Sequence, residues 1–159
     1  MDSSHGASDL PTLARTPEGG ATFDEHEELK AILRAGSTQF EIQTVGDIQA
    51  GASSFPLLTA SIGSSDPLAP AVGFFGGIHG LERIGTQLIL AHMRALLFRL
   101  AWDKLLHQQL QNVRLVFMPI VNPGGMWALR RCNPHGVDLM RNAPQRAENG
   151  VPFLAGGQT

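Results

Sequence analysis

Two short, continuously apolar runs, "AVGFFGG" from residue 71 and "VRLVFMPIV" from residue 113, are separated by a long stretch with helical character. This spacing limits the folds open to the chain more than any other feature. Apolar runs of this length, bounded by Gly and Pro, read as strands buried on both faces. The intervening stretch, from about Ile84 to Leu110, carries Leu88, Leu90, Ala91, Leu97, Leu100 and Trp102 as apolar surface, with Arg94, Arg99, Asp103 and Lys104 as solvated positions. Strand, crossover helix and strand form a βαβ unit, which places both strands parallel in one sheet with a right-handed crossover. In open sheets of this kind, ligands collect beyond the carboxyl ends of the strands. "GGIHGLERIG" and "NPGG" fall at those ends.

The preceding sequence adds a helix and a strand pair. "DEHEELKAILRAG" has acids in its first turn, Leu29, Ile32 and Leu33 on one face, and Gly36 to end it. From Phe40 the period changes, with Phe40, Ile42 and Val45 read as a strand-like alternation despite the three-residue step to Val45, a turn near "AGASS" and a second apolar run "FPLLTASIG", which predicts an antiparallel pair. Residues 1–22, rich in Ser, Gly, Pro and Thr, read as a flexible lead-in. The remainder, 23–159, reads as one domain. Its expected class is α/β, with a mixed, largely parallel sheet flanked by helices.

A net charge of −2 and the lack of a Lys/Arg stripe argue against nucleic acid as a partner. Cys132 is the only cysteine, so no intrachain disulfide can form, and a reducing, cytoplasmic location is expected. No uncharged apolar run reaches the roughly 18 residues of a membrane span, and the N-terminus lacks the pattern of a secretory signal, so no membrane association is expected. A serine hydrolase is disfavoured by the absence of a G-x-S-x-G elbow, and a phosphate-binding loop by the glycine spacing of "GGIHGLERIG".

Within that stretch, His79-x-x-Glu82 could bring an imidazole and a carboxylate together from one turn, as two of the three protein ligands of a catalytic zinc. Alone the pair has a plainer explanation, because Glu82 also suits a helix N-terminus. Context favours the metal. The stretch resembles the "GGxHGxE" motif of the M14 zinc carboxypeptidase family, and "NPGGMWALRRCNPHGVDLMRNAP" resembles that family's later "NPDG…R.N..GVDLNRNFP" segment. The likeness extends over about residues 38–145 and includes the short-loop members such as murein peptide amidases.

The resemblance implies one zinc ion, with His79 and Glu82 as its first two ligands and Asp138 as the carboxylate that orients the histidine. It implies that Arg131 is catalytic and substrate-binding, polarising the scissile carbonyl, and that Arg141 binds the terminal carboxylate of a peptide or amide substrate. Plainer roles exist for each: Arg130 and Arg131 as a solvated pair, Asp138 as a turn former, Asn122 as a cap. His92 and His107, on the crossover helix, are expected to be surface or packing residues. Zinc is the default metal from ligand type; manganese, cobalt and iron are not excluded by it.

The pattern is broken in places. Met140 stands where the family has an asparagine beside the carboxylate-binding arginine, Gly124 replaces an aspartate, and Ala143 replaces an aromatic. No sequence after Arg141 matches the family's third zinc ligand or its catalytic glutamate. The chain therefore reads as the first half of the fold, an N-terminal portion inactive alone, with the strand at 113–121 uncovered and open to self-association. Alternative readings are an N-acyl amino acid hydrolase of the aspartoacylase and succinylglutamate desuccinylase type, and a truncated, non-catalytic metal- or carboxylate-binding protein.

Overall fold

A computed structural model of the chain describes residues 23–142. The expected lead-in over 1–22, and Ala143 with the residues after it, lie outside them. Helix α1 (Asp24–Ala35) forms as its pattern predicts, with Asp24, Glu25 and Glu27 in the first turn and Arg34 in the last, each on the favourable end of the helix dipole. Leu29, Ile32 and Leu33 are all buried. Gly36 caps the helix and has no room for a side chain, since a Cβ there would lie 2.6 Å from the Phe40 ring and 2.9 Å from a Leu97 methyl.

Strands β1 (Glu41–Ala50) and β2 (Ser53–Gly63) form the expected antiparallel pair, but not by the expected alternation: Ile42 and Val45 are both exposed, and the register shifts between Thr44 and Gly46. Ala50 faces Ser53 across a two-residue turn in which Gly51 takes φ +63°, a conformation that suits glycine. The remaining elements are β3 (Ala71–Phe75), α2 (Arg83–Leu100), α3 (Lys104–Leu110), β4 (Arg114–Met118) and α4 (Pro123–Trp127). β4 enters between β2 and β3, giving the order β1-β2-β4-β3, antiparallel to β2 and parallel to β3. The mixed sheet flanked by helices is thus the fold, and the βαβ unit supplies its parallel pairing. No described helix is long and apolar enough to cross a membrane.

Three local expectations change. The crossover is two helices, because Asp103 accepts the Leu106 N–H at 3.0 Å as the cap of α3 and is held by Arg99 Nη2 at 2.7 Å. β3 is not covered on both faces: it is the edge of the described sheet, with Val72 45% and Phe75 59% exposed. The strand expected to lie uncovered, β4, is interior, and its Phe117 is fully buried among Phe40 and Phe74.

The parallel register aligns Phe75 with Met118, so β3 and β4 end side by side. Their pairing continues past the strands through Gly76 N to Met118 O (3.1 Å), Val121 N to Gly76 O (2.9 Å) and Asn122 N to Gly77 O (3.0 Å). Both motif-bearing segments are therefore delivered to the same end of the sheet.

Candidate metal centre

The loop carrying His79 is seated on α4 by close backbone approach. A Cβ at Gly80 would lie 2.1 Å from the Gly125 carbonyl carbon, and one at Gly77, where φ is +63°, would lie 2.7 Å from Met126 Cε. Thr86 Oγ1, fully buried, donates to Pro119 O at 2.7 Å and ties the start of α2 to the end of β4. Asn122 serves as the expected cap, accepting the Gly125 N–H at 2.8 Å, and its Nδ2 also donates to Ile78 O at 3.2 Å.

On this support the His79 ring lies between two carboxylates. Nδ1 is 3.0 Å from Glu82 Oε1 and Nε2 is 3.2 Å from Asp138 Oδ1. Glu82 occupies the N-cap position of α2 but makes no side-chain capping bond. Its place at the N-terminus of α2 is the one the plainer explanation predicts, and its carboxylate also turns to the imidazole rather than to the helix N–H groups. Arg131 donates through Nε to Asp138 Oδ2 at 2.9 Å and through Nη1 to Glu82 Oε1 at 3.2 Å. Arg141 Nε lies 3.7 Å from Asp138 Oδ2. The five residues singled out in the sequence thus form one cluster: His79, Arg131 and Arg141 surround the buried Asp138, and Glu82 joins through His79 and Arg131.

Asp138 also accepts the Met140 N–H at 3.1 Å, so it forms the expected turn as well as serving the cluster. Burial alone would raise its pKa. Hydrogen bonds from Arg131 and His79, with the guanidinium charge, outweigh burial and hold it at about 2, against an ordinary 3.8. The bond to Asp138 shifts the Arg131 guanidinium the other way, upward, against a smaller desolvation effect.

The donor set suits a cation. A neutral imidazole donates from only one ring nitrogen. If His79 donates from Nε2 to Asp138, the Nδ1 lone pair faces the Glu82 oxygen, and two acceptors converge at 3.0 Å. Zinc donors lie about 2.0–2.2 Å from the ion, so two ligands of one ion must be within roughly 4.3 Å of each other. His79 and Glu82 meet that condition. Among the described residues no third His, Cys, Asp or Glu joins them.

Sequence reasoning missed two residues beside the site. Glu25 is buried in the first turn of α1 and accepts from Arg83 Nη1 at 2.9 and 3.1 Å. A cation at the first position of α2 opposes the helix dipole, and that local conflict was the available signal. The departure at Gly124 has a steric basis, because a Cβ there would lie 2.4 Å from Pro134 Cγ. Met140 is exposed.

The zinc carboxypeptidase family of M14 peptidases matches residues 9–155. Carboxypeptidase SOL1 of Arabidopsis thaliana is 30% identical over 141 residues, covering 86% of this chain and 28% of that protein. Carboxypeptidase D of Drosophila melanogaster is 27% identical over 139 residues, covering 77% of this chain and 10% of that protein. Among solved structures, a metallo-carboxypeptidase from Burkholderia cenocepacia superposes with a TM-score of 0.60 at 18% identity, over 76% of this chain and 32% of its own. Thrombin activatable fibrinolysis inhibitor does so with a TM-score of 0.61 at 20% identity, over 81% of this chain and 37% of its own. These two likenesses bear on the fold. The chain spans less than a third of the length of either curated relative, and with the profile matched over nearly all of its residues it belongs to the M14 zinc carboxypeptidase family.

Proposed function

We propose that these residues form the metal- and substrate-binding front part of a zinc-dependent hydrolase of the carboxypeptidase type, acting on a peptide or amide bond near a free carboxylate. The observation that carries this reading is the convergence of His79 Nδ1 and Glu82 Oε1 at 3.0 Å, with Asp138 behind the imidazole. His79 and Glu82 would hold the ion, and Asp138 would fix the ring with Nε2 protonated so that Nδ1 is the ligand. A zinc ion held there supplies Lewis-acid polarisation of a carbonyl and an activated water.

The other roles belong to the arginines. Arg131, 42% exposed along its side chain and paired with Asp138 and Glu82, presents a permanent cation beside the ligands and stabilises negative charge developing on a carbonyl oxygen. Arg141, 39% exposed along its side chain, is open to a substrate carboxylate. Met140 contributes no amide beside it, so the carboxylate contact rests more heavily on the guanidinium. Cytoplasmic residence is part of the proposal and is supported by the single cysteine.

Zinc content and peptide binding test the reading on the 159-residue chain. Zinc retention should fall in His79→Ala and Glu82→Ala; equal stoichiometric zinc in parent and variants would remove the metal assignment. A short peptide with a free C-terminus should bind more tightly than its amidated form, and Arg141→Ala should abolish the difference. Preference for N-acyl amino acids over peptides would instead favour an acylase. A non-catalytic metal- or carboxylate-binding role has its own support, the lack of a third metal donor among the described residues. Peptide hydrolysis by the zinc-loaded protein at full length would exclude it.

A further inference from the structure

We infer that Glu25 is a positioning residue for the metal centre, acting through Arg83 on the adjoining Glu82. The inference rests on the reading of Glu82 as a metal ligand and adds a device that holds it. Arg83 opens α2, where its charge faces the positive end of the helix dipole, and no acidic residue in that first turn offsets it. The compensation comes from 58 residues earlier in the chain. Glu25, its side chain 6% exposed, accepts from Arg83 Nη1 through both oxygens, and Arg83 Nη2 donates to Met126 O at 3.4 Å. A carboxylate this buried needs its cation, so Arg83 is not at liberty to leave. One guanidinium thereby joins α1, the start of α2 and the end of α4.

The far end of this link is itself fixed. Next to Glu25, His26 stacks on Phe23 with ring centroids 5.2 Å apart and meets Phe55 edge-on at 5.7 Å, while Trp127 packs on Phe55 at 5.5 Å. The first turn of α1 is thus fastened to β2 and α4. Glu82 has no capping bond of its own to hold its backbone. Its backbone N–H donates to His79 O at 3.0 Å, and its position is further set by the contact of Gly80 with Gly125 before it and by Thr86 and the Arg83 clamp after it. Loss of the clamp leaves Thr86 as the remaining side-chain tie on the first turn of α2, so its outermost residue can shift and Glu82 then meets His79 less well.

The test compares zinc affinity in the 159-residue parent, Glu82→Ala, Glu25→Gln, Arg83→Gln and Arg83→Lys, read from the zinc-induced movement of the His79 ring-proton NMR signals. Thermal unfolding of each metal-free protein runs beside it. Glu25→Gln keeps shape and removes charge; it should weaken zinc binding by about 10-fold, the lower end of what outer partners of metal ligands contribute. Arg83→Gln, at a position more open to solvent, should do the same and carries the test if Glu25→Gln does not fold. Arg83→Lys keeps a cation within reach of Glu25 and should recover most of the affinity. Folded Glu25→Gln and Arg83→Gln proteins with lowered melting temperature but parental zinc affinity would overturn the inference, leaving the pair a structural link alone. If Glu82→Ala binds zinc as the parent does, the metal reading itself fails and the inference with it. Loss in Glu82→Ala with no change in the clamp variants rejects the clamp only.

Discussion

Asp138 concentrates the electrostatics of the centre on one side chain. With its folded-state pKa lowered to about 2 from 3.8, it contributes stability that is fully present above the unfolded value and is lost as pH falls through the folded one. Urea unfolding in the presence of a chelator should therefore show the parent losing stability steeply between about pH 4 and pH 2. Asp138→Asn should be less stable at neutral pH and flatter across that window; parallel curves would mean that the carboxylate is not the hub of the cluster. His26 is the second residue whose environment predicts a pH effect. Burial lowers its pKa, the Lys30 charge adds to this, and the Pro56 backbone acts in the opposite direction. Stability is intact above the ordinary value of 6.5 and declines as pH falls from there through the folded-state value, because the unfolded chain takes up the proton first. His26 Nε2 is buried without a hydrogen-bond partner among the described residues. His26→Phe keeps the stacking and removes the orphan together with the Pro56 backbone bond, so it should leave stability within about 1 kcal/mol of the parent at neutral pH and erase the decline just below pH 6.5, as read by urea unfolding.

Between elements, the joint that matters most is the one between the His79 loop and α4. The Gly80 Cβ position is occupied by the Gly125 backbone at 2.1 Å, which no rotamer change relieves. Gly80→Ala should cost about 1–3 kcal/mol and lift the loop from α4, weakening zinc binding together with stability. Gly46→Ala is the control: nothing lies within 4 Å of its Cβ position, and it should leave both nearly unchanged. A Gly80→Ala protein as stable as the parent, measured by thermal unfolding, would show that the loop is not seated as described. Features built from neighbours in sequence were legible in advance at this scale: the apolar face of α1 follows from a period, and the β1–β2 hairpin from two apolar runs either side of a glycine turn. The break between α2 and α3 did not, because the apolar pattern runs through it and Asp103 suits a solvated helical position as well as a cap. The link from Glu25 to Arg83 was illegible for another reason. Acids in the first turn of α1 already have a local purpose, and nothing in either segment names its partner 58 residues away.

At the scale of the molecule, motif order and the βαβ rule placed His79, Glu82, Arg131, Asp138 and Arg141 at one end of the sheet, but strand order lay beyond them. Periodicity says which segments are strands and not which one is in the middle, so β4 was expected to be uncovered when it lies between β2 and β3. Among the described residues the edges are β1, which carries Glu41, Asp47 and a register shift, and β3, whose sequence "AVGFF" has none of the charges or prolines that blunt natural edges. Val72 and Phe75 are 45% and 59% exposed, and α2 adds Ile84 and Leu88, which are also exposed. An apolar edge of this kind favours pairing with another strand, and in a solution of this chain the available strand is the same edge of a second copy. Sedimentation velocity should then show heavier species growing with concentration. Val72→Lys places a charge on the edge at an exposed position, so it should leave thermal stability within about 0.5 kcal/mol of the parent while shifting the sedimentation profile toward the monomer. Association unchanged by Val72→Lys would mean that copies meet through another surface and that β3 is covered in solution.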